Sequence, residues 1–213
     1  MKDLPSLLSI TSDNSRLPHH EQVRVLIEKG ARFVQLRSKL LGHNELVDQV
    51  KLSSQYALQS DTILIVNDFN KVAQSVRVSG VHLGANDCNV ELAREQLGDN
   101  AIIGSTVHNL EDAIKVTQLG LCNYVGLGPY RKSKTKLDLE PILSQGMIQD
   151  ILEVLSDTPV FLIGGIELDD CNLVSRYGLA GLAVCSALSR EGEYGNYVND
   201  FIKQLNLEKC AVV

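Results

Sequence analysis

Gln35, Arg37 and Lys39 follow a short apolar run at two-residue spacing, the period that puts alternate side chains of an extended chain on one face. Three long polar side chains so placed make either a solvated edge or an anion clamp. In the clamp, Arg37 forks onto phosphate oxygens and Lys39 supplies a point charge. Asn67 and Asp68 end the apolar run from Ile63 to Val66, and Asp87 follows His82-Leu83-Gly84. Asn-Asp and Asp87 both read equally as helix caps. Brought to one face, however, Asp68 and Asp87 suit magnesium, which takes one or two carboxylates and completes its octahedron with phosphate oxygens and water. Gly104-Ser105-Thr106-Val107-His108 adds two hydroxyls for a phosphate and an imidazole, which either packs or caps or transfers protons.

Arg131, Lys132, Lys134 and Lys136 place four cations in six positions of an otherwise acidic chain. A solvated turn is the plain reading. A loop that closes over a phosphorylated substrate is the chemical one, with Ser133 and Thr135 as neutral donors and Lys136 as charge. Gly164-Gly165 is either a tight turn or a place where backbone N–H groups approach a phosphate closely, and Cys185-Ser186 stands at a comparable position further on. Cys185 makes a poor nucleophile, because Ala183 and Val184 beside it are apolar and no base neighbours it in sequence.

These segments need elements to hold them. Apolar, β-branched runs recur at Leu7 to Thr11, Phe33 to Leu36, Thr62 to Val66, Gly80 to His82, Ala101 to Gly104, Tyr124 to Gly126, Val160 to Ile163 and Gly181 to Val184. Helical patterns separate them at Pro18 to Lys29, Asn44 to Ser60, Asn89 to Leu97, Asn109 to Leu119, Met147 to Leu155 and Asp169 to Tyr177, several opening on Asn or Asp. Eight such units in 213 residues leave about 27 each, close to the minimum for a parallel crossover. The economical fold is a single-domain α/β (β/α)8 TIM barrel over residues 1–206, with a C-terminal tail at 207–213. The rival, an open doubly wound sheet, lacks its Gly-rich phosphate loop after the first strand. In a barrel the chemistry sits at the carboxyl ends of the strands, where the polar residues above fall.

Composition narrows the functions allowed. With 44% hydrophobic and 22% charged residues the chain is ordinary globular material, and a net charge of −6 argues against a nucleic-acid surface. Five cysteines without CxxC spacing fit a reducing compartment. No stretch is apolar for long enough to span a membrane, so a cytoplasmic protein is expected.

In order, Gln35-x-Arg37-x-Lys39, Asn67-Asp68 and Gly80-x-His82-Leu83-Gly84-x-x-Asp87 resemble the motifs of the thiamine phosphate synthase family. The loop Gly128-Pro129 through Ser133, Thr135 and Lys136, the run Ile163 to Ile166 and the final Val184-Cys185-Ser186 extend that resemblance over nearly the whole chain. It implies a transferase that joins 4-amino-5-hydroxymethyl-2-methylpyrimidine diphosphate to a thiazole phosphate and releases pyrophosphate. It further implies that Asp68 and Asp87 hold Mg2+, that Arg37, Lys39, Asn67 and Lys136 contact the diphosphate, and that Ser133, Thr135, Gly165, Cys185 and Ser186 hold the thiazole phosphate. The expected partners are these small molecules, with homo-oligomer formation left open. The chain departs from the pattern at Thr106, where a serine is usual, at Arg131-Lys132, where Phe-Pro is usual, and at Ser133, in place of threonine. A related thiazole tautomerase has no pyrophosphate to release and no need of a diphosphate clamp, and a non-catalytic phosphate sensor is the other alternative.

Overall fold

Strand and helix alternate along the chain until the last strand meets the first. The computed structural model describes residues 4–68, 70–84, 89–132, 141–189 and 192–210. Its strands are β1 (Leu7–Ile10), β2 (Phe33–Leu36), β3 (Ile63–Asn67), β4 (Gly80–Leu83), β5 (Ile102–Val107), β6 (Tyr124–Leu127), β7 (Val160–Ile163) and β8 (Gly181–Val184). All pair in parallel in chain order, and β8 closes on β1 through Leu7 opposite Leu182 and Ser9 opposite Val184. The (β/α)8 barrel is therefore the architecture. The helices are α1 (His19–Glu28), α2 (His43–Gln59), α3 (Asn70–Ser75), α4 (Val90–Leu97), α5 (Leu110–Leu119), α6 (Gln145–Val154), α7 (Leu173–Tyr177) and α8 (Val198–Cys210).

The two-residue period of the strands divides the core in two. Outward residues such as Val34, Leu36, Val66, Leu162 and Val184 pack against the helices through Leu26, Leu46, Ile148 and Phe201. Inward residues Leu8, Ile10, Phe33, Ile65, Tyr124 and Phe161 fill the barrel. Phe33, Tyr124 and Phe161 stack edge to face with ring centres 5.4, 5.6 and 5.5 Å apart, forming an apolar floor beneath the carboxyl mouth. Gly104 makes room for it: a Cβ there would stand 2.2 Å from Tyr124 Cζ.

Local chemistry sets the ends of the helices. Asn89 caps α4 by accepting from Glu91 N at 2.8 Å, and Asn109 caps α5 by accepting from Asp112 N at 2.9 Å. Gly120 ends α5 in the left-handed region at φ 61°. Three elements differ from the sequence reading. The strand expected to stop at Gly104 runs on to Val107, because the residues that follow are polar yet stay in the ladder opposite β6. The helix expected from Asp169 is a short 3-10 helix (Leu168–Asn172) followed by α7. Finally, α8 continues through Leu207 to Cys210, so the tail expected to begin at 207 starts as helix. No helix among the described residues is long and apolar enough to cross a membrane.

Candidate active site

Above the aromatic floor the barrel turns polar. Gln35, Asn67, His82 and Thr106 come from β2 to β5 at the carboxyl end, and register places them side by side: Asn67 lies opposite His82, and His82 opposite Gly104. Gln35, Asn67 and His82 are buried, at 2%, 7% and 7% exposed. His82 joins floor to mouth. Its Nδ1 lies 3.0 Å from the Tyr124 hydroxyl and its Nε2 3.0 Å from Thr106 Oγ1, and the Gln35 side chain stands beside the same Tyr124 hydroxyl. Burial pushes the Tyr124 phenol well above its ordinary range, so it remains a neutral hydrogen-bonding group. Both imidazole nitrogens of His82 have partners here, which gives this ring a scaffolding part.

Beyond the strand ends the chain turns outward and carries charge. The Lys39 ammonium meets the Asp68 carboxylate. Asp68 also accepts from Gly84 N at 3.3 Å and donates its own N–H to His82 O at 2.8 Å, so β3 and β4 both fix it. Its φ of 61° is left-handed, a conformation that few residues other than Gly, Asn and Asp adopt and that clusters at functional sites. Arg37 is half-buried, and its charge acts on both His19 and Cys185.

A second network, which the sequence reading passed over, holds this rim in place. Thr11 Oγ1 accepts from Arg37 N at 3.0 Å and lies 2.8 Å from His19 Nδ1. Asp13 accepts from Ser38 Oγ at 2.5 Å and from Lys39 N at 2.9 Å, with His19 Nε2 at 3.1 Å. Burial raises the Asp13 carboxyl, but the bonds from Ser38, Lys39 and His19 outweigh it and hold the group below the usual carboxylate range. His19 is held below the usual imidazole range by burial, with Asp13 opposing. The signal was available: Thr11-Ser12-Asp13 follows the first strand as the other polar segments follow theirs.

On the far side of the mouth, His108 Nδ1 lies 2.5 Å from Gly128 O, and His108 N donates to Asp112 at 3.0 Å, so this imidazole also serves the scaffold. Gly128 and Gly165 permit two loops to touch: a Cβ on the first would stand 2.3 Å from Ile163 O, and on the second 2.8 Å from Arg131 Cβ. The space beside Gly165 is thus taken in part by the protein's own chain. Cys185 directly follows β8, with Sγ 3.8 Å from Thr11 O, and burial pushes its thiol up, which keeps it protonated and unfit as a nucleophile. Ser186 is exposed and opens a 3-10 helix (Ser186–Leu188).

Of the residues expected from the sequence, Gln35, Arg37, Lys39, Asn67, Asp68, Thr106, Gly165, Cys185 and Ser186 all stand at this carboxyl end. Asp87, Ser133, Thr135 and Lys136 lie outside the described residues. Among the described residues no three His, Cys, Asp or Glu side chains gather as a metal cluster. The donors at the rim are nonetheless oxygens, and the His82 nitrogens are engaged elsewhere, a set that fits a hard cation rather than zinc. A cavity opens at the opposite end among strand-start residues such as Ile63, Gly80, Ile102 and Ala180, the face that serves stability in this architecture.

Relatives of this chain are named for thiamine phosphate. The thiamine-phosphate synthase of Flavobacterium johnsoniae is 35% identical over 203 residues, covering 91% of this chain and 92% of its own length. That of Pyrococcus abyssi is 35% identical over 181 residues, covering 85% and 86%. The solved structure of thiamine phosphate pyrophosphorylase from Pyrococcus furiosus superposes with a TM-score of 0.80 at 30% identity, covering 98% of this chain and 97% of that one. Residues 7–188 match the family described as thiamine monophosphate synthase. By the match over residues 7–188, the curated relatives and the shared barrel, the chain belongs to the thiamine monophosphate synthase family of enzymes.

Proposed function

We propose that the carboxyl mouth joins 4-amino-5-hydroxymethyl-2-methylpyrimidine diphosphate to a thiazole phosphate, forming thiamine phosphate and releasing pyrophosphate. The observation that carries this reading is the meeting of Lys39 with Asp68 between neighbouring strand ends, two residues along the chain from half-buried Arg37. A cation and a carboxylate so placed suit a diphosphate that arrives with a divalent ion. The printed names of the relatives support the product.

Asp68, with Asp87, would hold Mg2+, which when bound neutralises charge on the diphosphate oxygens. Lys39 then exchanges its carboxylate partner for a phosphate oxygen, and Arg37 forks onto the same group. Asn67 and Lys136 complete the diphosphate contacts. The bond between the pyrimidine methylene carbon and the diphosphate oxygen breaks, and its electron pair leaves with pyrophosphate. The amino group of the ring stabilises the resulting cation, and the thiazole nitrogen supplies the pair for the new C–N bond. No protein nucleophile enters, in keeping with a protonated Cys185. Gln35 and Thr106, fixed through Tyr124 and His82, orient the heterocycle over the aromatic floor. Ser133, Thr135, Gly165, Cys185 and Ser186 receive the thiazole phosphate.

Incubating the purified protein with both substrates and Mg2+ tests this. Thiamine phosphate and pyrophosphate are expected in equal amounts, with none after chelation. Isomerisation of a thiazole phosphate alone, indifferent to chelator, indicates a tautomerase instead, and ligand binding without turnover indicates a sensor.

A further inference from the structure

Arg37, Ser38 and Lys39, which follow β2, are anchored one by one to the segment that follows β1. Thr11 N donates to Gln35 O at 3.0 Å, which carries the pairing of β1 with β2 past the strand ends. From there side chains take over. Thr11 Oγ1 accepts from Arg37 N, while the Asp13 carboxylate accepts from Ser38 Oγ on one oxygen and from Lys39 N on the other. Ser38 Oγ in turn accepts from Leu40 N at 3.2 Å and from Leu41 N at 3.1 Å, so the turn into α2 hangs on the same hydroxyl.

His19, the first residue of α1, closes the network from a position only 5% exposed. An ionised carboxylate only accepts, so a neutral imidazole here carries its proton on Nε2, towards Asp13, and accepts from the Thr11 hydroxyl on Nδ1. That nitrogen is a nearer acceptor for Thr11 than Arg37 O, which lies 3.3 Å away. Each hydrogen then has an acceptor, in a chain from Arg37 N through Thr11 and His19 to Asp13. All the bonds to residues 37–39 fall on backbone or on Ser38. None occupies the Arg37 guanidinium or the Lys39 ammonium, the groups assigned above to the diphosphate.

We propose that Asp13 and Thr11 are positioning residues, which hold the backbone of residues 37–39 so that Arg37 and Lys39 converge on one diphosphate. The inference rests on the reaction proposed above, which places both cations on that group. Long cationic side chains lose freedom when they bind, and a fixed backbone beneath them lowers that loss. Position and charge act here in opposite directions. A carboxylate close to an anion site repels the anion, so by charge alone the removal of Asp13 tightens binding, whereas by loss of position it weakens binding.

Calorimetric titration of inorganic pyrophosphate with Mg2+ present tests the inference in wild type, Asp13→Asn, Thr11→Val, Thr11→Ser, Lys39→Met and the double variant of Asp13→Asn with Lys39→Met, with thermal midpoints recorded alongside. Asp13→Asn turns an amide donor towards groups that themselves donate, and is expected to weaken binding roughly tenfold. Thr11→Val weakens it comparably, and Thr11→Ser, which keeps the hydroxyl, binds as wild type does. If Asp13 acts through Lys39, the double variant binds within about threefold of Lys39→Met, whereas general loosening of the barrel multiplies the separate losses. Should Asp13→Asn fail to fold, the two Thr11 variants decide the matter. Unchanged or tighter binding in folded Asp13→Asn or Thr11→Val, equal weakening in Thr11→Ser and Thr11→Val, or fully multiplied losses in the double variant overturns the inference alone. Failure of wild type to bind pyrophosphate with Mg2+ overturns the reaction and the inference together.

Discussion

Lys39 Nζ rests on the Asp68 carboxylate, joining the loop after β2 to the end of β3, with the lysine side chain 52% exposed and the aspartate 9%. A pair so unequally exposed adds little to folding, so its value lies in what either partner binds. Lys39→Met is expected to change unfolding free energy by less than about 1 kcal/mol. Turnover should fall at least tenfold, equivalent to about 1.4 kcal/mol of barrier. Urea denaturation and pyrophosphate release measure the two, and a large stability loss with wild-type turnover would make the pair structural.

His19 gives a pH prediction with a definite sign. The unfolded imidazole takes a proton near pH 6.5, whereas burial holds the native one below that value. Below about pH 6.5 the unfolded state therefore binds more protons, and stability falls as pH drops towards the native value. Asp13, also depressed, adds a second loss at lower pH, beginning near the ordinary carboxylate range. Unfolding free energies measured in steps from neutral pH downward should show that first decline in wild type and lose it in His19→Asn. An identical slope in both proteins would place the proton elsewhere.

The barrel was legible because its outward strand faces are continuous apolar runs and its helices open on Asn caps such as Asn89 and Asn109. Ser105 and Thr106 were harder to place. They belong to β5, but polar residues at the mouth break the apolar pattern and read as loop. Polar types after strand ends likewise drew attention to Gln35, Lys39 and Asp68. Their partners were hidden, because an ion pair across strands or a ring bond from His82 to Tyr124 spans many residues and leaves no local spacing. Asp13 and His19 were missed because the rule for strand ends was not applied to β1. Arg131 was read as one of four loop cations, yet its charge is committed to Asp170, a residue that sequence spacing does not connect to it.

Tyr124→Phe removes the hydroxyl that partners His82 Nδ1 inside the barrel. Loss of one buried hydrogen bond costs about 0.5–1.5 kcal/mol, and a loss on that scale is expected in urea denaturation. With His82 released from the floor, Thr106 loses its fixed partner and turnover should fall as well. Unchanged stability would mean that the His82 ring finds another partner.

Asp87 and Lys136 are outside the described residues, so their parts rest on family resemblance. Asp87→Ala should abolish Mg2+-dependent turnover with the fold intact by circular dichroism. Lys136→Ala should slow turnover at least tenfold, about 1.4 kcal/mol of barrier. Wild-type rates in either would remove that residue from the site.

The account turns on a divalent ion and a diphosphate meeting at Asp68, and calorimetric titration of inorganic pyrophosphate reads that meeting without any turnover. Wild type is expected to bind pyrophosphate only when Mg2+ is present, and Asp68→Asn to bind it at least tenfold more weakly, about 1.4 kcal/mol. Binding of equal strength with and without Mg2+, undiminished in Asp68→Asn, would contradict the account.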